Sequence, residues 1–438
     1  MANRPKRSRT DSVGLVACLL LAFGMRLAVA LSQPDQLTLD RDVYLGIASS
    51  IADGRGYCGP NSTAPTAFRP PLYPLSLALG FLAFPPCLVV GGINILAGVM
   101  TVWVTANLGL RLQLGRWRFV AALLVAVDPL LLRYSSQPMT ESICTLLATF
   151  WLWSMIADSP ANDHSHQFSG LVRGVSFGLL VLCRPTFWPI AIFCGFGWMI
   201  ARRRTSIETS GAGYASSCGA AIRSVIGTVV IVAPWLIRNW LVFGVPILTT
   251  THGGYTLLLG NNPVFYEQVV RRPWGTAWPD DSQHAWEADL RVRMDRDLGP
   301  LATEAQRDDW QSRQARAYMA AEPRACIEAT VHRIRSLWNT IPLGSAADGV
   351  NGSVITVVGW FYFFALTFGF IGMIVAPRRP DRQRWYPLYV LMFTVQLVHL
   401  FYWTNTRMRA PLTPAIALFA VSTFSLRHRK NDHGVLRE

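Results

Sequence analysis

Apolar stretches long enough to cross a bilayer recur along the whole chain, and they leave few folds open. They run near 13–31, 87–110, 118–134, 139–157, 170–183, 185–201, 222–241, 354–376, 386–403 and 410–426. A hydrocarbon core of ~30 Å takes about 20 apolar residues of helix to span. Lipid offers backbone amides no partner, so only helices and closed barrels cross it. An all-α polytopic membrane protein with about ten transmembrane helices is therefore expected. The stretches on either side of Arg184-Pro185 read as two short helices or one kinked helix. Leu72 to Phe84 is apolar but short and proline-flanked, which suits a re-entrant or interfacial helix better than a span. With 438 residues, 51% of them hydrophobic, and a mean hydropathy of +0.28, the composition is too apolar for a soluble domain.

Charge orients these helices. The net charge is +14, and nearly all the cations are arginine, the lysines being Lys6 and Lys430. The arginines gather in the N-terminal tail and at Arg111/Arg116/Arg118, Arg202–Arg204, Arg378/Arg379/Arg382/Arg384 and Arg427–Lys430. With ten spans, all of these fall on one side, which the positive-inside bias makes cytoplasmic. Short basic turns between apolar segments suit membrane orientation and anionic lipid rather than nucleic acid. Both termini are then cytoplasmic, and the first apolar run reads as an uncleaved signal anchor. The organisation expected is a transmembrane catalytic module over 1–241 with an outer loop at 32–74, an extracytoplasmic cap of helices or mixed structure over 242–353, and C-terminal transmembrane helices with a cytoplasmic tail over 354–438. The eight cysteines form no CxxC pair and no Cys/His metal spacing, and pairing of Cys58 with Cys326 is left open. Trp235, Trp240, Trp360, Trp385 and Trp403 lie near span ends, where an interfacial belt is expected.

The outer loop carries most of the chemistry-bearing residues. Asp40 and Asp42 sit just past the first span, and Tyr44, Ile47, Ala48 and Ile51 follow at helical spacing. Asp53-Gly54-Arg55-Gly56-Tyr57 breaks that helix, and Arg69-Pro70-Pro71-Leu72-Tyr73-Pro74 returns a cation to the membrane surface. Glu141 opens an apolar helix on the same side, where an ionisable group is costly and tends to be functional. Asp128, before Pro129, reads as a helix-end turn former. Arg69, Arg184, Arg238, Arg407 and Arg409 all fall at outer ends of spans, against the orientation bias, and guanidinium forks suit phosphate oxygens. Snorkelling or an ion pair with a nearby acid is the ordinary alternative for each. No Walker motif, GxGxxG, HExxH or GxSxG elbow points to another enzyme class.

In this order and spacing, these residues resemble polytopic glycosyltransferases of the GT-C architecture, in the protein-mannosyltransferase and aminoarabinose-transferase-like group. Thr140-Glu141, Arg184-Pro185-Thr186, Pro234 to Asn239, Gly260-Asn261-Asn262-Pro263 and Arg407-Met408-Arg409 extend the likeness over nearly the whole chain. The chain departs from the group where Arg41 replaces the second acid of the usual pair, and where Arg69 replaces a lysine before the paired prolines. The resemblance implies transfer of a sugar from a polyprenyl-phosphate donor to a lipid, glycan or protein acceptor on the extracytoplasmic face, with inversion. It implies Asp40 as general base, with Asp42 and Glu141 as further catalytic acids. Arg69, Arg238, Arg407, Arg409 and Arg184 then become candidates for the donor phosphate. Tyr44, Tyr57, Tyr73 and Asn261 become substrate contacts, and His252 joins them beside the reading of a satisfied loop histidine. A divalent ion, Mg or Mn, held by Asp40 and Glu141 is admitted without being required. The alternative is a transporter or flippase of lipid-linked sugars, which would call for inverted repeats and matching broken helices.

Overall fold

A computed structural model of the chain describes residues 9–156, 163–208, 211–343 and 350–434. The N-terminal basic tail at 1–8 lies outside them, as do the side chains of the arginine clusters at 202–204 and 427–430. The described residues form helices and no named strand; a lone bridge joins Cys58 to Pro65. In order the helices are α1 (Arg9–Ser32), α2 (Tyr44–Ala52), α3 (Leu72–Phe81), α4 (Pro86–Arg111), α5 (Trp117–Ala126), α6 (Pro129–Arg133), α7 (Glu141–Met155), α8 (Asp163–Cys183) and α9 (Pro189–Glu208). They continue as α10 (Gly211–Phe243), α11 (Gly253–Leu259), α12 (Pro263–Phe265), α13 (Asp280–Leu298), α14 (Glu304–Ala321), α15 (Pro323–Leu337), α16 (Gly352–Val375), α17 (Tyr386–Val398) and α18 (Thr413–Gly434).

Local chemistry explains many of the boundaries. Proline opens α4, α6 and α15, where its missing N–H is no loss. Asp128 caps α6 by accepting from the Leu131 amide at 2.9 Å, the turn-forming role its position suggested. Past the end of α2, Gly54 and Gly56 take φ of 77° and 83°, the left-handed backbone that reverses the chain.

Among the described residues, four helical segments are long and apolar enough to span: Asp11–Ser32, Pro86–Arg111, Cys218–Phe243 and Gly352–Arg378. A fifth arises if α5 and α6, bent by 40°, act as one span. The other apolar stretches include shorter helices, such as α7 with 15 residues and α17 with 13. Helix length alone therefore does not carry the count of ten. A second hydrophobic core, separate from the main one, joins Leu258, Phe265, Trp278, Trp286 and Trp310 across α11–α15. A third packs α2, α3 and α4 together through Tyr44, Tyr73, Leu77 and Val90. Trp240 and Trp360 are exposed as belt residues should be, whereas Trp235 and Trp385 are buried in the main core. Packing accounts for both: Trp235 donates to the Thr249 carbonyl at 2.7 Å, and Trp385 lies on Phe419. Cys58 is buried and donates to the Arg55 carbonyl at 3.2 Å; it and Cys326 are free thiols.

Within the bundle, α8 and α10 meet along small residues. Gly170, Gly174 and Gly178 recur every four residues on α8, facing Ala220, Ser224 and Ile231 on α10. Side-chain atoms at Gly174 would collide with the Ser224 carbonyl. The closeness lets Ser224 and Thr228 donate to the Gly170 and Gly174 carbonyls at 2.9 and 3.2 Å. Without water to drive association, such small-residue seams are how membrane helices gain dispersion contact. The first helix buries a charge. Arg26 is sealed in the bundle, donating to the Ala22, Ala126 and Val125 carbonyls at 3.2, 3.1 and 3.4 Å beside Gly98. Gly174→Val should separate α8 from α10 and cost about 1–3 kcal/mol. A fall in the apparent Tm of the purified protein in detergent, absent in an exposed control such as Val292→Ala, checks this.

Candidate active site

Five charged side chains from segments far apart in sequence form one alternating chain at the end of the bundle. Arg69 Nη2 lies 2.9 Å from Asp42 Oδ1, and Arg407 Nη1 lies 3.2 Å from Asp42 Oδ2. Arg407 Nε is ion-paired at 3.2 Å with Glu141 Oε1, the oxygen that accepts from Arg184 Nη2 at 2.7 Å. The order is Arg69–Asp42–Arg407–Glu141–Arg184, three cations held by two carboxylates. The five members come from four segments. Asp42 and Arg69 come from the first loop, Glu141 opens α7, Arg184 follows α8 before Pro185, and Arg407 lies in the turn before α18. Glu141 is 1% exposed and Arg184 13%, so the pair is deep. Removing one partner of such a pair strands the other charge, at about 3–5 kcal/mol.

The surroundings fix this geometry. Arg69 also donates from Nε to the Asp42 carbonyl at 2.9 Å, and its guanidinium lies 5.3 Å from the Tyr44 ring and 4.8 Å from the Phe68 ring. Arg184 donates to Thr140 Oγ1 at 2.9 Å. Val43, between Asp42 and Tyr44, has a φ of 58°. A β-branched residue held there costs about 1–3 kcal/mol, strain of the kind that collects at functional sites. Burial pushes the Asp42 carboxyl up, but Arg407 and Arg69 outweigh it and hold it below the ordinary carboxylate range. Arg407 is likewise kept charged, Glu141 and Asp42 overcoming its burial.

In and around the ionic chain, five buried polar atoms have no hydrogen-bond partner: Asp40 Oδ1, Glu141 Oε2, Tyr73 Oη, His252 Nδ1 and Arg407 Nε. Asp40 is oriented by its other oxygen, which accepts from the Gly46 amide at 2.8 Å. The Tyr73 ring meets the Tyr44 ring edge-on at 5.2 Å, and Tyr44 in turn lies 5.3 Å from the Arg69 guanidinium. His252 meets Phe68 edge-on at 4.3 Å and stacks on Tyr255 at 5.1 Å. Burial, then Arg69, push its imidazole down to about 3, so it is neutral near pH 7. Among the described residues no three His, Cys, Asp or Glu side chains converge as a metal site. Asp40 Oδ1 and Glu141 Oε2 are thus buried acceptors left without a donor.

Other candidate residues do different work. Arg238 donates to the Thr66 and Tyr57 carbonyls at 2.8 and 3.0 Å, clamping the first loop. Arg409 donates to the Leu337 and Asn339 carbonyls at 3.2 and 2.8 Å, over the Tyr362 ring. Tyr57 donates to the Arg69 carbonyl at 2.9 Å and so steadies that residue's backbone. Asn261 is buried and bridges the Leu257 and Phe401 carbonyls at 2.8 and 2.6 Å. One contributor carries no sequence signal. Glu304, first residue of α14, accepts from Thr66 Oγ1 at 2.6 Å, the Ala67 amide at 2.9 Å and Thr251 Oγ1 at 3.0 Å. Only the Thr303–Gln306 capping box beside it is visible in sequence, and it marks a helix start, not a tie to the loop.

The helical architecture, with its long apolar helices, is that of an integral membrane protein, and its fold is shared by solved oligosaccharyltransferase structures. The archaeal oligosaccharyltransferase AglB from Archaeoglobus fulgidus, in complex with an inhibitory peptide and a dolichol-phosphate, superposes with a TM-score of 0.53 at 15% identity over 97% of this chain and 51% of that one. The apo form of the Archaeoglobus fulgidus oligosaccharyltransferase gives 0.53 at 14% identity over 96% of this chain and 52% of that one. ArnT from Cupriavidus metallidurans bound to undecaprenyl phosphate gives 0.42 at 12% identity, covering 96% and 79%. This chain thus spans about half the length of the oligosaccharyltransferase whose fold it shares. No family model and no curated protein sequence matches it. The transporter alternative gains no support from these likenesses.

The site makes stability depend on acid. His252 has a folded pKa of about 3 against an ordinary 6.5, so the unfolded chain takes up its proton first. Its contribution is complete above pH 6.5 and is lost as pH falls toward 3, at no more than about 1.4 kcal/mol per unit. Asp42, depressed by its arginines, acts in the same direction further into acid. Apparent Tm should therefore fall from pH 7.5 to pH 4.5, and fall less in His252→Gln; parallel profiles would contradict the burial of this ring.

Proposed function

We propose that the chain is a membrane glycosyltransferase that moves a sugar from a polyprenyl-phosphate donor to a lipid, glycan or protein acceptor on the extracytoplasmic face of the cytoplasmic membrane. The observation that carries this reading is the pairing of the Arg69–Asp42–Arg407–Glu141–Arg184 chain with free, buried carboxylate oxygens beside it. The shared fold supports it, since AglB was captured with a dolichol-phosphate and a peptide.

Transfer makes two demands. The acceptor hydroxyl must lose its proton as it attacks the anomeric carbon, and the departing phosphate gains a negative charge as its bond to that carbon breaks. Asp40 fits the first, because Oδ1 is free while the Gly46 amide fixes the group's orientation. Asp42 is a poorer base, since both its oxygens face guanidinium. Arg69, Arg407 and Arg184 fit the second, as preorganised and largely buried charges. Asp42 and Glu141 keep those cations converged when no phosphate is present. Single displacement by one base inverts the sugar. A divalent ion, were one held by Asp40 and Glu141, would add Lewis-acid stabilisation of phosphate charge; the roles of the residues above do not depend on it.

The test uses protein in lipid, with and without EDTA, offered a panel of radiolabelled polyprenyl-phosphate sugars together with candidate acceptors. Asp40→Asn should lower release of polyprenyl phosphate at least ~100-fold while donor binding persists. Arg69→Ala and Arg407→Ala should weaken donor binding itself. Undiminished turnover in Asp40→Asn would remove Asp40 as base, and neither binding nor turnover with any carrier would sink the transferase reading.

A further inference from the structure

The α15 helix is apolar on two faces, and only one is used. Ala325, Ala329 and Leu337 are buried against the chain. Ile327 and Val331 lie on the opposite side, 65% and 51% exposed, with Ile334 a turn beyond them. A helix of a water-soluble cap has no reason to turn such a stripe outward. Beside the stripe is a groove of about 550 Å³ between α15 and the segment Val269–Trp274. Trp274 lies at its edge, 38% exposed. The Arg335 guanidinium sits 4.2 Å from its ring and His332 at 5.1 Å. Arg271 is paired with Glu322 and Glu328 at 3.6 and 3.4 Å, whereas Arg272 and Arg335 have no carboxylate partner among the described residues.

This surface is continuous with the exposed apolar side of α16. Leu343 packs on Gly275 beside Trp274, and Ile341 packs on Gly359 of α16. That helix is long and apolar enough to span, with only 17% of its apolar window buried. Its Val357 and Trp360 are exposed. The apolar band of α16 therefore runs on through Ile341 to Trp274 and Val331. An indole with basic side chains at the edge of an apolar band is interfacial chemistry.

We infer that the exposed face of α15 rests on the membrane, its apolar stripe among the acyl chains and the Arg272–Arg335 groove holding the phosphate of an anionic phospholipid. The full-length protein in nanodiscs tests this, with a nitroxide at Val331→Cys and, as a water-side control on α13, at Val292→Cys. At 331 collisions with oxygen should exceed those with a water-soluble nickel chelate, and at 292 the order should reverse. In discs of mixed phosphatidylcholine and phosphatidylglycerol, native mass spectrometry should show phosphatidylglycerol retained by the wild type. Arg272→Ala/Arg335→Ala should lose about tenfold of that retention. A water-like profile at 331 would overturn the docking, and so would spin coupling between two chains, which would place a second copy there. Unchanged lipid retention in the double variant would overturn the headgroup site; the nitroxide readings do not depend on that variant folding.

Discussion

The structure depends most on one run of alternating charge. Arg69, Asp42, Arg407, Glu141 and Arg184 belong to the first loop, the start of α7, the end of α8 and the turn before α18. No two of these segments are neighbours in sequence except the two ends of the loop. Each carboxylate bridges two guanidiniums, so loss of a single acid leaves two like charges facing each other in a poorly solvated place. Sites of this kind are weak stabilisers as whole units but costly to break in part. Their value lies in convergence: three cations meet where none would gather unaided.

Backbone supports then hold the loop that carries Asp42 and Arg69. The Thr251 amide donates to the Ala67 carbonyl at 2.9 Å, and Thr250 donates to the Phe68 carbonyl. Arg238 clamps the same strip from α10, and Glu304 grips it from α14. The strip before Arg69 is thus tied to elements some 170 to 240 residues away. Strain at Val43 is tolerated because the contacts on either side determine its position.

How much of this was legible differs by residue. The helical, membrane-embedded class follows from apolar length alone, and Asp40, Asp42, Arg69, Glu141, Arg184 and Arg407 stand out because charge at the end of an apolar run demands a reason. The same logic also drew in Arg238 and Arg409, whose guanidiniums hold backbone carbonyls instead of the acids of the ionic chain. An arginine at a span end looks identical in sequence whether its partner is a phosphate, a carboxylate or a peptide group. Glu304 lay hidden for the opposite reason, as one acid in a helix rich in charge whose partners lie far away. Trp235 and Trp385 mislead similarly, since position near a span end does not reveal which way an indole turns.

The buried Arg26 has a consequence for how the chain enters the membrane. An arginine toward the middle of a spanning helix raises its insertion free energy by about 2.5–3.5 kcal/mol. Here the carbonyls of Val125 and Ala126 at the end of α5, with the space beside Gly98 on α4, take up that charge. None of them exists when α1 emerges from the ribosome. The pocket that takes up this charge is complete only when roughly a hundred further residues have been made. The settled packing of the first helix is thus tied to the fifth, and a piece that ends before α5 lacks the carbonyls that take up this charge.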